Sequence, residues 1–223
     1  MDRYLYGRRV GKPLRSQQAA LVENLLPRLA PDLAGLQLDS ITLFARKMRE
    51  LRLEIGFGGG EHLAREAATN PDIGFIGCEP FINGVAKLLA TIAAQALSNI
   101  RVHHGDAREV LLRLPPASLA RVDLLYPDPW PKRRQRKRRF VSDETLDLIV
   151  RVLEPGGELR FASDIDDYAG WTLAHILRRA DLRWEAARPA DWRTPWPGWQ
   201  PTRYETKACA EGRDSAYLTF TRV

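Results

Sequence analysis

Three acidic residues lie at or just beyond the ends of successive predicted β-strands: Glu54, Glu79 and Asp106. The carboxyl ends of parallel strands meet at one edge of a sheet, so we expect the three carboxylates to share a pocket. Ionised carboxylates only accept hydrogen bonds, and such a pocket therefore suits a cationic ligand rich in donors. Each acid alone is more typical of a helix cap or a surface charge. The three together indicate a ligand site.

A glycine-rich turn follows the first of these strands in the run EIGFGGG (54–60). Glycines at 56, 58 and 60 permit a tight turn and a close approach of the backbone to a ligand. A dinucleotide-binding fingerprint would need a further glycine at position 61, where this chain has Glu61. An acid at that helix N-terminus would also repel a pyrophosphate. The pattern therefore argues against NAD.

A proline-rich loop follows the fourth predicted strand and reads YPDPWPK (126–132). Prolines on both sides of Asp128 hold the backbone stiff and extended. The loop thus presents one carboxylate and the indole of Trp130 beside the expected ligand pocket. The structural alternative is a rigid turn with a solvated Asp and a core Trp. A run of basic residues that begins directly at the end of the loop argues against this alternative.

That basic run, KRRQRKRR (132–139), carries seven cations and no acid. The formal net charge is +6, so without these seven charges the rest of the chain would be near neutral. A second basic group lies in the N-terminal arm and comprises Arg3, Arg8, Arg9, Lys12 and Arg15. A concentrated positive patch on a balanced domain is typical of a polyanion-binding protein. A solvated loop or an import signal is the plainer interpretation, and charge alone favours nucleic acid only modestly.

Strands and helices alternate along most of the chain, which predicts right-handed crossovers. We predict an α/β protein with a Rossmann-like, doubly wound, mostly parallel sheet, helices on both faces and an antiparallel C-terminal edge strand. Residues 1–40 form a basic arm, partly disordered over 1–15, and a helix over 16–30; residues 41–223 form one domain. The predicted strands span 51–57, 73–78, 100–104, 121–126, 158–163 and 216–221. After residue 40, one predicted helix begins at residue 61. The other predicted helices span about 82–96, 107–114, 142–153 and 166–180.

Several classes of protein are disfavoured by what the sequence lacks. No apolar run reaches transmembrane length, and the N-terminus has no apolar signal region. Cys78 and Cys209 do not make a disulfide framework, and no Cys/His cluster has metal-ligand spacing. We therefore expect a cytoplasmic protein without a metal or a membrane association.

The run EIGFGGGEHL (54–63), the acids at 79 and 106, and the loop YPDPWPK resemble the bacterial tRNA (guanine-N7-)-methyltransferase family. The resemblance extends from about residue 50 to the C-terminus. It implies S-adenosyl-L-methionine as methyl donor, S-adenosyl-L-homocysteine as product, and Asp128 as the catalytic residue. The cofactor contacts that it implies are Glu54, Gly56, Gly58, Glu79, Asp106 and Asp128.

The same resemblance implies the substrate contacts. In the tail, the motif T-x-x-E corresponds to Thr202, Arg203, Tyr204 and Glu205, and further substrate contacts are Lys132 and Asp164. A glutamate can accept two hydrogen bonds from guanine N1–H and N2–H₂, which would leave N7 facing the donor. The implied RNA-binding residues are Arg134, Arg136, Lys137, Arg138 and Arg139. The partner is tRNA, with the variable-loop guanine at position 46 as target, and no obligate protein partner is implied.

Guanine N7 carries a lone pair and no proton, so its methylation needs no general base. We therefore hypothesise that Asp128 orients the base or acts electrostatically. A C5-pyrimidine mechanism needs a cysteine near this loop, and neither cysteine lies there. Two alternatives remain. One is methylation of another RNA base, including by an amino-methylating loop of the N-P-P-Y type, or of another partner recruited by the basic run; the other is a non-catalytic RNA-binding module.

Overall fold

The computed structural model describes residues 6–7, 9–35, 37–38 and 43–223. The strands are β1 (Leu51–Ile55), β2 (Gly74–Cys78), β3 (Ile100–His103), β4 (Leu119–Leu125), β5 (Leu153–Ser163), β6 (Leu182–Trp184) and β7 (Ala216–Arg222). The helices are α1 (Ser16–Asn24), α2 (Leu26–Leu29), α3 (Glu61–Thr69), α4 (Ile82–Gln95), α5 (Ala107–Arg113), α6 (Asp143–Val152), α7 (Asp166–Ile176), α8 (Ala190–Arg193) and α9 (Arg203–Ala210). A 3-10 helix, Arg133–Arg138, lies between β4 and α6.

All of these strands join one sheet in the order β3-β2-β1-β4-β5-β7-β6. The pairs from β3 through β5 are parallel, whereas β7 is antiparallel to both β5 and β6. The predicted Rossmann-like class and the antiparallel C-terminal strand are therefore confirmed. The short strand β6 was not predicted, and it completes the antiparallel pair at this edge. The chain order reverses between β1 and β4, where sheets of this kind bind ligands.

The sheet packs against helices on both faces because successive strand residues point to opposite sides. Ile76 belongs to a core shared with α5, α6 and α7, whereas its neighbour Phe75 packs with α3 and α4. Both residues are buried, as are all five residues of β2. Near-continuous apolar strands of this kind are typical of parallel sheets that are covered on both sides. The predicted helices on both faces are confirmed.

Most element boundaries agree with the predictions to within a few residues. The predicted helix over 16–30 is two helices, because Pro27 in the first turn of α2 starts a new segment after Leu25. The strand predicted at 158–163 begins earlier, at Leu153, with an irregular register opposite Leu119 and Arg121. Helix α7 ends at Ile176, before the predicted residue 180. In the part of the chain that the structure describes, no helix has the length and apolar character to cross a bilayer.

The N-terminal arm contacts α4 over part of its described length. Asn83 accepts a hydrogen bond from Gly11 N at 2.7 Å and donates one to the Lys12 carbonyl at 2.7 Å. Ile82 N donates to the Arg9 carbonyl at 3.1 Å. Of the residues in the predicted basic arm, Arg3 and Arg8 lie outside the described residues. The division at residue 40 stays a prediction.

Candidate active site and nucleic-acid interface

The turn after β1 depends on glycine for its backbone conformation. Gly56, Gly58 and Gly60 have φ values of 72°, 57° and 77°, in the left-handed region that side chains disfavour. No atom lies within 4 Å of the position that a Cβ would take at Gly56, which lines the main cleft. A Cβ at Gly84 in α4 would lie 2.0 Å from the Gly58 carbonyl oxygen. The turn is therefore open toward the cleft and tightly packed behind.

Glu79 holds this turn from the end of β2. One of its carboxylate oxygens accepts a hydrogen bond from Gly58 N at 2.7 Å, and the other accepts one from Phe81 N at 2.8 Å. The side chain is buried, and this burial raises its pKa; the two backbone hydrogen bonds oppose the shift, and nearby Asp128 and Glu54 add to it. A carboxylate in this position favours a cation beside it.

A cleft of about 520 Å³ lies at the carboxyl end of the sheet, above β1, β2 and β4. Its wall includes Glu79, Asp106 and Asp128, together with Gly56 and Gly58. The structure thus brings together five of the six predicted cofactor contacts around one space. Among the described residues, we find no group of three or more His, Cys, Asp or Glu side chains arranged to hold a metal.

The two aspartates of this cleft differ in their partners. Asp106 caps α5 by accepting a hydrogen bond from Arg108 N, and its carboxylate also pairs with the Arg108 guanidinium, with Nε at 2.9 Å. Asp128 has no hydrogen-bond or ion-pair partner among the described residues. It is exposed to the cleft, yet the surrounding protein removes enough water to raise its pKa. Asp128 is therefore the cleft acid most available to a ligand.

Glu54, the sixth predicted cofactor contact, does not line this cleft. Its carboxylate pairs with His62 Nδ1 at 2.7 Å, and both side chains are buried. Burial alone would lower the pKa of His62, but the charge and hydrogen bond of Glu54 outweigh burial, and the pKa is raised. Glu54 instead lines a small pocket of about 30 Å³ behind Gly56.

The loop that carries Asp128 has an unusual backbone. Tyr126 and Trp130 have φ values of 49° and 41°, and each precedes a proline. Residues other than glycine rarely adopt this region, and residues before proline favour extended conformations. Such outliers persist only where surrounding contacts enforce them, and they concentrate at functional sites. The loop was expected to be stiff and extended. Its backbone instead turns sharply at Tyr126 and at Trp130.

Aromatic and cationic side chains surround Trp130 at the mouth of the cleft. The Tyr6 ring meets Trp130 edge to face at 6.3 Å, and the Arg138 guanidinium lies 5.0 Å from both ring centres. Tyr6, Trp130 and Arg138 all line the cleft. A Cβ at Gly7 would lie 3.1 Å from an Asp128 carboxylate oxygen. The N-terminal arm therefore borders the cleft, a position that its sequence did not indicate.

The basic run divides into exposed and internally paired cations. Lys132, Arg134 and Lys137 are exposed, and Lys137 also lines the cleft beside Arg138. Arg136 pairs with Asp167 at 2.6 Å. Of the exposed members, Lys137 lies at the cleft, and together with Arg138 it makes this part of the rim positive, as a phosphate-binding segment requires.

Arg139 departs from the predicted RNA-binding role, because its guanidinium is buried. It donates to the Pro129 carbonyl at 2.8 Å and forms an ion pair with Asp167. In this conformation its donors are directed into the protein rather than toward a phosphate. The basic spacing of the run gave no signal that this member differs from the others.

The predicted substrate motif lies at the start of α9. Thr202 caps the helix by accepting from Glu205 N at 3.2 Å, and Glu205 accepts from Thr202 N at 3.3 Å. The Glu205 carboxylate also accepts from Trp199 Nε1 at 2.7 Å and from the Tyr217 hydroxyl. Burial and this carboxylate raise the pKa of Tyr217 to about 12. The T-x-x-E spacing was itself a capping-box signal for this unpredicted helix.

Other predicted substrate residues lie apart from the main cleft or at its border. Asp164 pairs with Arg213 at 2.8 Å, and Lys132 is exposed at the start of the basic segment. Thr202 and Arg203 line the small pocket with Glu54, while Tyr204 lines both pockets. Tyr204 therefore lies at the border between the main cleft and the small pocket. The roles of these residues as substrate contacts stay predictions.

Cys78 belongs to β2 and is buried, and this burial raises the pKa of its thiol. A protonated, buried thiol is a poor nucleophile. Cys209 is exposed in α9. Cys78 nevertheless lines the cleft that contains Asp128, and the exclusion of a covalent pyrimidine mechanism stays a prediction.

Solved structures with this arrangement of strands and helices include several methyltransferases. The 16S rRNA methyltransferase KamB aligns with a TM-score of 0.57 and 20% identity, over 79% of this chain and 89% of that one. Precorrin-6y C5,15-methyltransferase from Geobacter metallireducens GS-15 aligns with a TM-score of 0.54 and 13% identity, over 96% of this chain and 94% of that one. At these identities the likeness concerns the fold. The sequence pattern of the "putative methyltransferase" family matches residues 48–218.

Together, the sheet order, the glycine turn and the acidic cleft define a class I methyltransferase, a class whose fold implies use of S-adenosylmethionine. Among the relatives, the tRNA (guanine-N(7)-)-methyltransferase of Rhodopseudomonas palustris (strain BisB18) is 57% identical, over 100% of this chain and 89% of the relative. That of Agrobacterium fabrum (strain C58) is 56% identical, over 97% of this chain and 94% of the relative. The chain belongs to the tRNA (guanine-N7-)-methyltransferase family.

Proposed function

We propose that this protein transfers a methyl group from S-adenosyl-L-methionine to N7 of a guanine in tRNA, the variable-loop guanine at position 46. The observation that carries this assignment is the continuity of two surfaces. Lys137 and Arg138 of the basic segment line the same cleft as Glu79 and Asp128. A cationic donor and a polyanionic acceptor need adjoining sites of opposite charge, and this cleft provides both. The names of the relatives supply the acceptor base.

The donor side fits S-adenosylmethionine by its chemistry. When bound, this cofactor supplies a methyl group activated by a positively charged sulfur. Glu79, Asp106 and Asp128 offer acceptors for its ammonium, hydroxyl and amino donors. Gly56 leaves the wall open where a side chain would project, and Gly58 shapes the turn that Glu79 holds. For Glu54, which His62 holds behind Gly56, we propose a contribution through the position of the turn.

Asp128 has the least committed carboxylate of the cleft, and we assign it the orienting role. Guanine N7 attacks through an in-plane lone pair, so the chain must align the base rather than remove a proton from N7. Holding two reactants in line lowers the barrier mainly by positioning. A carboxylate that accepts from N1–H and N2–H₂, on the edge opposite N7, would orient the guanine with N7 toward the methyl donor, and its charge would favour the positive charge that the base acquires. The same cleft residues would hold the product S-adenosyl-L-homocysteine.

The acceptor side combines exposed cations with the aromatic mouth. Lys132, Arg134 and Lys137 are free to bind phosphates, which positions RNA without reading its sequence. A guanine within folded tRNA must leave its stack before a pocket can hold it, and Trp130 and Tyr204 offer aromatic surfaces at the cleft. Glu205 and Thr202 reach the base only if their helix-capping hydrogen bonds are exchanged for substrate bonds. A tRNA substrate also favours a cytoplasmic location.

The decisive experiment incubates the purified chain with methyl-labelled S-adenosylmethionine and unmodified tRNA, followed by borohydride–aniline cleavage mapping. We expect label at one guanine N7, at position 46 of the variable loop. A tRNA transcript with adenine at that position serves as the matched control and should remain unlabelled. Label at another base or another atom would contradict the assignment and support the alternative of a different RNA base.

A further inference from the structure

We infer that Arg139, the last cation of the basic run, positions the Asp128 loop instead of binding RNA phosphate. Its Nε donates to the carbonyl of Pro129, the residue directly after Asp128, at 2.8 Å. Its other nitrogens bind the carboxylate and the main-chain carbonyl of Asp167 in α7. One guanidinium therefore connects the loop to a helix of the core.

Aromatic side chains of α7 hold the Arg139 guanidinium in place. The guanidinium lies 4.8 Å from the ring centre of Tyr168 and 5.3 Å from that of Trp171, both in α7. Trp171 Nε1 in turn donates to the Val141 carbonyl at 2.8 Å, which ties the chain just after Arg139 to the same helix. The Arg139 side chain is 0% exposed. A planar, permanently charged fork suits simultaneous stacking and branched hydrogen bonding, which a lysine cannot reproduce.

The loop requires such an anchor because its backbone is unfavourable by itself. Tyr126 and Trp130 both have left-handed backbone angles, and these two residues bracket Asp128. Strained backbone persists only where neighbouring groups hold it. The Tyr126 side is held by a hydrogen bond from its hydroxyl to Ser215 at 3.0 Å. On the Trp130 side, the loop is held by the hydrogen bond that Arg139, which is itself bound to α7, donates to the Pro129 carbonyl.

The run KRRQRKRR therefore contains two kinds of cation. Arg134 and Lys137 are exposed, whereas Arg139, only two residues after Lys137, faces the protein interior. Loss of an exposed cation should weaken tRNA binding and its salt dependence. Loss of the Arg139 fork should instead displace Asp128 and slow the reaction. This role rests on the proposed function, because the rate that it affects is that of methyl transfer.

The test compares Arg139→Lys with Lys137→Ala, using single-turnover methylation of tRNA and tRNA affinity at several salt concentrations. For Arg139→Lys we expect the saturated rate to fall by about 10- to 100-fold, with the salt slope unchanged. For Lys137→Ala we expect the salt slope to fall by about one. Arg179→Lys is the matched control, because Arg179 likewise connects two segments through branched hydrogen bonds, to the carboxylates of Asp147 and Asp181, away from the cleft. Its rate should stay at the wild-type value.

An unchanged saturated rate for Arg139→Lys would overturn the assignment. Because lysine keeps the charge, Arg139→Gln tests the salt slope, and a drop equal to that of Lys137→Ala would also overturn the assignment. If Arg139→Lys fails to fold in thermal denaturation, Asp167→Ala decides, because it removes the charged acceptor of the same guanidinium from a partly exposed position. A folded Asp167→Ala protein with the full wild-type rate would also overturn it. Failure of the proposed function is distinguishable, since the wild-type protein itself would then yield no N7-methylguanine.

Discussion

The main cleft lies in front of the glycine turn, and the region of Glu54 and α9 lies behind it. The carboxylates of this front and this back differ in the partners that they have within the chain. In front, Asp128 has no partner among the described residues, and Glu79 is bonded only to backbone N–H groups. Behind, Glu54 pairs with His62, and Glu205 accepts from Trp199 and Tyr217. Of these four acids, only Asp128, at the front, lacks any partner in the described part of the chain.

This difference separates a site that awaits a ligand from one that is complete without it. A polar group deprived of water is costly unless it finds a partner, and at the front we propose that this partner is a cation from outside the chain. At the back, the protein supplies the partners. Substitutions at the front should therefore change binding and rate, and substitutions at the back should change stability.

The largest expected effect is that of Asp128→Asn, which keeps the shape of the side chain and removes its charge. We expect single-turnover methyl transfer to fall by about 100-fold, because the orienting carboxylate is lost. The folded state raises the pKa of Asp128, so its ionised form is less favourable there than in the unfolded chain. Thermal stability at neutral pH should consequently be unchanged or slightly higher. A retained rate, or a marked loss of stability, would contradict the distinction between front and back.

The next effect concerns the exposed cations at the front. Replacing Arg134 and Lys137 together with Ala should weaken tRNA binding about 10-fold or more and lower the salt slope by about 1.5 to 2. The affinity for S-adenosylmethionine, measured by calorimetry, should not change. Arg183→Ala offers a control, since this exposed arginine pairs with Glu185 on the distant edge of the sheet. Equal losses of tRNA and cofactor affinity would show that the segment supports the fold of the cleft.

A smaller effect is expected behind the turn. Tyr217→Phe removes one hydrogen bond to Glu205 and should lower the free energy of unfolding by about 1 kcal/mol in urea titrations. Tyr204→Phe provides the contrast, because the Tyr204 side chain is exposed, and we expect its stability to match the wild type. If Tyr217→Phe changed methyl transfer far more than stability, Glu205 would act in the reaction, like the acids of the main cleft, and not in stability.

The smallest effect is a dependence of stability on pH. The pKa of His62 is raised above its ordinary value of 6.5, because Glu54 outweighs the opposing effect of burial. The stabilisation from this pair should be complete below about pH 6.5 and should disappear as pH rises through the raised folded-state pKa. Urea unfolding from pH 5.5 to 9, compared with His62→Gln, measures it. Identical pH profiles for both proteins would mean that the pair contributes nothing.

The sequence was sufficient for the strands that build the cleft. Apolar runs such as Gly74–Cys78, followed by an acid and a helix, indicate both the element and the edge at which the acid lies. The position of Asp128 at that edge follows from the proline-rich loop after β4. These features depend on local pattern and on the general rule for parallel sheets.

The short elements of the tail before β7 and the partners of individual charges were beyond such reasoning. β6 has three residues, Leu182–Trp184, too few for a periodic signal, and it forms only because β7 offers a free edge. The burial of Arg139 depends on α7, which is distant in sequence, and neighbouring arginines look identical to it. Likewise, whether Glu54 faces the cleft or His62 is a matter of side-chain direction, which strand spacing alone does not specify.

The contact between Gly84 and Gly58 has a consequence for how the family can diverge. Because a Cβ at position 84 would overlap the Gly58 carbonyl, no single substitution at 84 is neutral while that turn keeps its shape. Position 83, one residue away, also holds the N-terminal arm through Asn83. A lineage that remodelled the arm would therefore be constrained to keep the first turn of α4 in register with the donor site. The N-terminal arm and the glycine turn are thus coupled through the first turn of α4, where Gly84 has no side chain.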